Sequence, residues 1–373
     1  MTHRDVAHAL ALCALPQMGP VRLRALLGRW PPEEAWAAVR SGRALTDAGV
    51  RERLVHAPAP LAERWRSASA SIQPELLLRQ AHAAGISVLL HGRPPYPSVL
   101  VDDPEPPLVL FARGDLGVID GRRVAIVGTR NATEVGREVA FELAAGLAEA
   151  GVRVVSGLAR GIDGAAHRGA LVANGAPPIG VVGSGLDIVY PRESARLWDE
   201  VTARGLLLSE APPGAPPEPW RFPARNRIIA ALAEVVVVVE SRRRGGSMST
   251  VEEALARDRT VLAVPGSVRA AASEGTNHLI TEGAVLVRDV GDILVALGFA
   301  RPSPLDAAGA LGAIDPADRP VAEVLQRRAC DLEALIRATG LPLATVALSV
   351  TRLELKGVVA RRAGWIEYVG GAP

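Results

Sequence analysis

Residues 124–163 contain two apolar segments, each followed by a glycine-containing turn and then by helical spacing. This alternation predicts a βαβ unit of a parallel sheet. At such turns, the unpaired N–H groups and the positive end of the next helix bind phosphate. Arg130 in the first turn and Arg160 in the second add guanidinium groups suited to phosphate. The feature predicts a phosphate-handling α/β domain.

Further apolar segments at 179–182, 206–208, 235–240, 261–264 and 285–287 repeat the pattern, with helical spacing between most of them. Strands this uniformly apolar are buried on both faces, so we expect a doubly wound, mostly parallel sheet. The turns would then share the carboxyl edge of the sheet, where such folds bind ligands.

Two other zones flank this α/β domain, for which we predict the boundaries 81–299. Residues 1–80 are helical, and a Pro-Gly turn between two helices resembles a helix-hairpin-helix; DNA contact and packing against a partner both stay open. A proline-rich stretch at 91–114 predicts an ordered linker or edge structure. Residues 300–317, rich in Pro, Ala and Gly, predict an interdomain linker.

Residues 318–373 predict a winged-helix domain, because three helical segments precede two short strands. The third helix carries only Arg352 and Lys356 as cations, which is little charge for binding duplex DNA. We therefore favour protein contact or regulation for this domain over sequence-specific DNA binding.

Composition excludes several classes of function. The net charge is only +2, so a nucleic-acid surface must be a local patch. Lys356 is the only lysine and lies in no Walker A context, which excludes a P-loop ATPase. Cys13 and Cys330 form no CxxC pair, which favours a reducing cytoplasm and argues against structural zinc. We expect no metal, no signal peptide and no membrane span.

The segment from Trp220 to Arg227 combines aromatic and basic residues at close spacing. Aromatic rings stack on unpaired bases and guanidinium groups bind phosphates, whereas the alternative places Phe222 in the core. The neighbouring glycine turns favour the first interpretation. Asp163 and Asp187 follow turns, so capping the next helix or fixing the loop suits them better than catalysis, and a packed or hydrogen-bonding role suits His167.

Eight motifs across residues 96–297 resemble the DprA/Smf family of bacterial DNA-processing proteins: VAIVGTR, VVSGLARGID, AHRGAL, GSGLDIVYP, SEAPPG, FPARNRIIA, GGS and VPG. The resemblance implies an extended Rossmann-like domain, an N-terminal SAM-like domain and a C-terminal winged helix. It implies a homodimer without catalysis or cofactor that binds single-stranded DNA in natural transformation. Such a protein protects the incoming strand and loads the recombinase RecA onto it past single-strand-binding protein.

By these motifs, the resemblance implies that the family's DNA pocket is formed here by Arg130, Ser156, Gly157, Phe222, Arg225, Asn226, Gly246 and Ser247. Together with neighbouring positions, the predicted single-stranded DNA contacts are Gly128, Thr129, Arg130, Ser156, Gly157, Leu158, Ala159, Arg160, Gly161, Arg221, Phe222, Arg225, Asn226, Arg227, Gly246 and Ser247. Gly245 stands where the family usually has serine, so that position offers no hydroxyl.

An enzyme is the alternative function. Residues 245–253 loosely resemble the Gly-Gly-x-Gly-Thr-x-x-Glu loop of the lonely-guy nucleoside-monophosphate phosphoribohydrolases. Glu253 aligns with the glutamate that acts there at the glycosidic bond. However, Ser249 replaces a glycine of that loop and the preceding proline is absent. We therefore favour the non-catalytic interpretation.

Overall fold

The computed structural model describes residues 3–54, 60–300, 314–356, 358–362 and 365–368. The chain divides into two compact units, Met1–Phe299 and Ala300–Pro373. Most of the predicted linker, residues 301–313, lies outside the described residues.

The first unit begins with a group of helices: α1 (His3–Cys13), α2 (Pro20–Leu27), α3 (Pro32–Arg40), α4 (Ala48–Arg53), α5 (Leu61–Ser71) and α6 (Pro74–Ala83). Helix α1 lies at their centre, with Leu10 and Leu12 fully buried. These helices share one hydrophobic core with the edge of the sheet, where Val88 and Phe111 pack against them. A separate domain at 1–80 therefore stays a prediction.

A nine-stranded sheet occupies the rest of the first unit, in the order β1-β2-β6-β5-β4-β3-β7-β8-β9. The strands are β1 (Ser87–Leu90), β2 (Val109–Gly114), β3 (Arg123–Val127), β4 (Arg153–Ser156), β5 (Ile179–Val182), β6 (Leu206–Ser209), β7 (Val235–Val238), β8 (Thr260–Ala263) and β9 (Val285–Leu286). Strands β3 to β9 are parallel to one another, which confirms the predicted doubly wound sheet.

Strands β1 and β2 form an antiparallel extension that we did not predict as strands. Strand β2 pairs with both β1 and β6, so it is the second strand of the sheet. It falls inside residues 91–114, which we expected to form a linker or an edge. The surrounding prolines obscured it, since they mark the connector between the two strands and not the strands themselves.

Helices cover both faces of the sheet. They are α7 (Glu134–Glu149), α8 (Ile162–Val172), α9 (Ala195–Arg204), α10 (Arg221–Leu232), α11 (Met248–Leu255), α12 (Glu274–Thr281) and α13 (Val290–Ala296). Helices α7, α8 and α13 pack on one face, and α10, α11 and α12 pack on the other. The chain runs outward from β3 through β6 and then crosses to β7 on the other side of β3. This reversal is the switch point at which open α/β sheets bind ligands.

The second unit is the predicted winged helix. It contains the helices Arg319–Arg327, Leu332–Thr339 and Leu343–Leu355, followed by the antiparallel strands β10 (Val359–Arg362) and β11 (Trp365–Tyr368). Across the described ranges, no single helix is long and apolar enough to cross a membrane. The pair Leu332–Thr339 and Leu343–Leu355 meets that test only jointly, with a bend of 113° between them.

Candidate nucleic-acid interface

A groove of about 650 Å³ opens at the switch point, beyond the carboxyl ends of β3, β4 and β7. Its walls are Val127, Gly128, Thr129, Arg130, Asn131, Ala159, Asp163, Tyr190, Pro219, Phe222, Pro223, Arg225, Asn226, Ile229, Gly246, Ser247, Ser249 and Thr250. A hollow of about 280 Å³ adjoins it and adds Gly157, Arg160, Val182, Gly183, Ser184 and Pro191. The structure thus brings together turns that are far apart in sequence.

The turn after β3 is held rigidly. A Cβ on Gly128 would lie 2.5 Å from the Ile162 side chain, so only glycine fits between this turn and α8. The Thr129 N–H donates to the carbonyl of Glu240 at 2.7 Å. The Glu240 carboxylate accepts from the Thr133 N–H at 2.9 Å, just before α7 begins. The turn therefore presents the exposed Arg130 from a fixed backbone.

Of the predicted contact residues in the turn after β4, some line the groove and others are buried in the core. The buried Ser156 hydroxyl donates to the carbonyl of Ile126 at 2.6 Å, so it joins β4 to β3 and does not face the groove. Leu158 is fully buried, and Gly161 is not part of the wall either. Gly157 and Ala159 do line the two hollows. Contacts of Ser156 and Leu158 side chains with a ligand are thus excluded by their burial.

Asp163 stabilises this same turn. Its carboxylate accepts hydrogen bonds from the backbone N–H groups of Ala159 and Gly157. Burial raises the pKa of Asp163, while Arg225 and these hydrogen bonds act in the opposite direction. These contacts fix the loop, which is one of the two roles expected for Asp163; the other, capping α8, is not seen, because no side chain caps the start of that helix.

Arg225 lies beneath the groove and positions its turns. The side chain is buried, and its Nη1 donates to the carbonyls of Gly157 at 2.8 Å and Val181 at 2.5 Å. Burial lowers the pKa of Arg225 to about 10, and nearby Asp163 opposes that shift. Arg225 contributes positive charge to both hollows, but its Nη1 is committed to the protein backbone.

An aromatic and cationic cluster divides the groove from the adjoining hollow. The Arg130 guanidinium carbon lies 4.8 Å from the centroid of the half-buried Phe222 ring. The Tyr190 ring lies 5.5 Å from the Phe222 ring, centroid to centroid, and Tyr190 is 41% exposed. We did not predict Tyr190 as a contact. It lies in the third glycine turn, residues 183–191, and the signal that could have identified it was the position of this turn directly after β5.

The turn after β7 supplies the opposite wall. The Asn226 side-chain N–H group donates to the Ser249 hydroxyl at 2.7 Å, and that hydroxyl donates to the carbonyl of Gly246. The Ser247 hydroxyl is buried and bonds to the Ser241 hydroxyl at 2.8 Å. Gly246 is exposed. The residues of this turn that line the groove are therefore polar and uncharged, and hydrogen bonds within the protein hold their hydroxyl groups in place.

Three further predicted arginines have different placements. Arg160 is exposed on the rim and pairs with Glu193. Arg221 pairs with Glu218 at 3.0 Å and lines a separate hollow near α2. Arg227 is buried and pairs with Glu210 at 2.6 Å. The structure thus places Arg221 and Arg227 outside the groove, because each compensates a nearby carboxylate.

The glutamate that would act in a phosphoribohydrolase also lies outside the groove lining. Glu253 accepts from Arg257 Nη1 at 2.5 Å, and Arg257 donates in turn to Asp103 at 2.7 Å. Across the described ranges, no cluster of three histidine, cysteine, aspartate or glutamate side chains could hold a metal ion. The groove's own acidic side chain is the buried Asp163.

Family models match both units of the chain. The model described as DNA recombination-mediator protein A matches residues 87–298, and the DprA winged helix domain matches residues 300–364. The DNA processing protein DprA of Bacillus subtilis is 41% identical over 214 residues, which are 57% of this chain and 72% of that protein.

Two solved structures share the fold. The DprA structure from Streptococcus pneumoniae superposes with a TM-score of 0.63 at 31% identity, covering 79% of this chain and 98% of that one. The Helicobacter pylori DprA structure, described for its single-stranded DNA binding mode, gives a TM-score of 0.52 at 30% identity over 57% of this chain and 95% of that one. The chain therefore belongs to the DprA/Smf family of DNA-processing proteins.

Proposed function

We propose that this protein binds single-stranded DNA through the groove, without sequence preference. The observation that carries the proposal is the cluster in which Arg130 stacks on Phe222 beside the exposed Tyr190. A ring provides a stacking surface for any base, and a guanidinium beside it binds the adjoining phosphate. The single-stranded DNA binding mode described for the H. pylori relative supports the proposal.

The groove suits an unpaired strand better than a duplex. The bases of a duplex stack on each other, so a ring in the wall of a groove cannot reach their faces. The polar groups around Phe222 belong largely to turns with glycine, whose N–H groups suit phosphate oxygens of any sequence. The side chains of this wall offer little for reading base edges, since Asn226 is committed to Ser249.

A salt titration with labelled single-stranded and duplex oligonucleotides tests this proposal. We expect tighter binding of the single strand at every salt concentration. Replacing Arg130 and Arg160 by alanine removes two exposed guanidinium groups that line the groove or the hollow beside it. If each binds one phosphate, the log–log salt slope falls by about 1.4, at roughly 0.7 per contact.

The matched control replaces Arg64 and Arg79 by alanine, because both are exposed on helices α5 and α6 and neither lines the groove. This control removes the same net charge and should leave the slope unchanged. A preference for duplex, or equal slopes for both double variants, would contradict the proposal.

We further infer that the protein acts as a mediator, protecting the bound strand and passing it to RecA past single-strand-binding protein. The family description as a recombination mediator supports this role. In a nucleation assay on coated single-stranded DNA, the protein should shorten the lag before RecA hydrolyses ATP. The R130A/R160A variant should not, whereas R64A/R79A should. An unchanged lag with the unmodified protein would overturn the inference.

We infer a homodimer through the exposed edge strand β9. Val285 and Leu286 on this strand are 46% and 40% exposed, and Phe299 is 37% exposed nearby in sequence. Exposed apolar strand edges are unusual in monomers and favour pairing with a second copy. Light scattering should give twice the monomer mass for the protein and the monomer mass for V285E/L286E. The control V172E alters a residue that is 67% exposed on α8 and should remain dimeric.

The pairing of Glu253 with Arg257 supports a non-catalytic function, because it holds the carboxylate outside the groove. Incubation with AMP should therefore release no adenine. Release of adenine that disappears in the E253Q variant would favour the phosphoribohydrolase instead.

A further inference from the structure

A second basic hollow lies on the N-terminal helices, where α2 ends. Its volume is about 520 Å³, and its walls include Arg24, Arg29, Trp30 and Arg93. We call it the α2 hollow. None of these residues lines the groove, and the sequence of this helical zone is compatible with DNA contact.

The α2 hollow carries more positive than negative charge. Arg24 faces Glu105 only loosely, at 3.9 Å, and Arg29 pairs with Asp47 at 3.2 Å while staying 53% exposed. Arg93 is exposed, and within the described ranges no carboxylate forms an ion pair with it. The Arg53 guanidinium lies beside the Gly28 turn that lines the hollow. The lining itself thus holds three arginines and no acidic side chain, and Glu105 and Asp47 pair with two of the three from outside it.

The aromatic ring in this hollow orders its cations and offers no platform for a base. Trp30 is only 8% exposed, and the guanidinium carbons of Arg29 and Arg43 lie 5.5 Å and 5.7 Å from its ring centroid. Such stacking holds the guanidinium groups in place. The hollow is therefore built for phosphates and not for bases.

An exposed tryptophan lies between this hollow and the groove. Trp220 is 44% exposed, and the Arg221 guanidinium carbon lies 4.6 Å from its ring centroid. A Cβ on Gly19, just before α2, would lie 3.6 Å from the indole, so Trp220 packs beside the start of α2. Helix α2 has eight residues and is therefore about 12 Å long, and the α2 hollow lies at its far end.

Trp220 and Phe222 therefore form two aromatic surfaces at the start of α10, each with a stacked arginine. Phe222 faces the groove, whereas Trp220 lines the hollow next to α2. We propose that a single strand leaves the groove over Trp220 and that its sugar-phosphate backbone then binds the α2 hollow through Arg24, Arg29 and Arg93. This inference rests on the proposed function and extends it to the N-terminal helices.

The test compares oligonucleotides of two lengths. A strand of about six nucleotides fills the groove alone, and one of about twenty exceeds the span that single domains usually bind. The R24A/R93A variant should bind the short strand as the unmodified protein does. Its affinity for the long strand at 200 mM salt should fall by on the order of tenfold, the loss expected for a few phosphate contacts. The R64A/R79A variant should leave both affinities within twofold.

A fluorescence measurement provides a second test that does not depend on charge. Trp220 and Trp365 are exposed, whereas the other four tryptophans are buried. The long strand should quench the emission of the protein and of W365F, but W220F should lose at least half of the quenching. Retained quenching in W220F, or equal effects of R24A/R93A and R64A/R79A on the long strand, would overturn the inference.

Failure of the underlying function would give a different result. In that case, R130A/R160A would bind the short strand as tightly as the unmodified protein. If the short strand depends on Arg130 and Arg160 while the long strand ignores Arg24 and Arg93, the groove binds DNA and the α2 hollow does not.

Discussion

The groove and the winged helix use arginine in opposite ways. In the groove, Arg130 is exposed and stacks on Phe222, and no carboxylate pairs with it within the described ranges. In the winged helix, Arg352 donates to the fully buried Asp318 at 2.5 Å and 3.1 Å. Burial would raise the pKa of Asp318, but the hydrogen bonds and positive charge of Arg352 hold it below its usual value.

The difference shows that the number of cations in a segment does not measure its capacity to bind DNA. Arg352 is one of the two cations expected on the third helix of the winged-helix domain, and it pairs with the buried Asp318 of the same domain. That helix presents Leu348 and Leu355 to solvent, at 54% and 84% exposure. We therefore expect arginine substitutions to weaken binding in the groove and stability in the winged helix.

The largest expected effect is the loss of stability in the R352A variant. Removing Arg352 leaves Asp318 buried without its charge partner, which should cost more than the roughly 1 kcal/mol at stake in an exposed ion pair. Urea denaturation followed by circular dichroism should show this loss, and the affinity for single-stranded DNA should not change. The control R337A removes an exposed partner of Glu333 and should cost less than about 1 kcal/mol. Reduced DNA binding by folded R352A would contradict the structural role assigned to Arg352.

His167 should make the first unit sensitive to acid. It is fully buried behind the turn after β4, and burial lowers its pKa from 6.5 to about 4. Because the unfolded chain binds a proton more readily, stability should be lost as pH falls from about 6.5 to about 4, by about 3 kcal/mol at most.

Denaturation of the H167L variant at pH 7 and pH 4.5 provides the measurement. Its loss between the two values should be smaller than that of the unmodified protein. All seven histidines precede residue 300, so the winged helix contributes nothing to this difference through histidine. An identical loss in both proteins would show that carboxylates alone cause it.

Replacing Phe222 by alanine should weaken single-stranded DNA binding by about 1–3 kcal/mol, the value of one stacked base. The F222Y variant keeps a ring and should retain most of the affinity. The control F141A removes a ring that is 36% exposed on α7, away from the groove. Fluorescence anisotropy measures all three. Equal affinities of F222A and F141A for single-stranded DNA would show that no base stacks on Phe222.

The smallest expected effect comes from the winged helix. Replacing Leu348 and Leu355 by serine should change stability by less than about 0.5 kcal/mol per site, because both side chains are exposed. Affinities for single-stranded and duplex DNA, measured by gel shift, should be unchanged. A loss of duplex binding would assign this helix to DNA and contradict our preference for protein contact.

Much of the fold could be predicted from local pattern. The apolar segments near 124–127 and 235–240 became β3 and β7, because a strand covered on both faces consists mostly of apolar side chains. Strands β1 and β2 were missed, since prolines fill the stretch between them and the pairing of β2 with β6 depends on distant residues.

The site was less accessible to sequence reasoning. The motif FPARN marked both Phe222 and Arg225, but it could not show that the first lines the groove while the second bonds to carbonyls beneath it. Arg227 carries the same charge two positions later and pairs with the distant Glu210. Tyr190 lies beside Phe222 because the third glycine turn packs next to the start of α10.

Local sequence was sufficient to specify a doubly wound sheet with glycine turns at its carboxyl edge, because hydrophobic periodicity and the steric demands of glycine act over a few residues. Which arginines face solvent depends on the folded chain, since each guanidinium bonds to whichever carboxylate or carbonyl the fold brings near it. Arg130 found an aromatic ring, whereas Arg225, Arg227 and Arg352 found partners inside the protein.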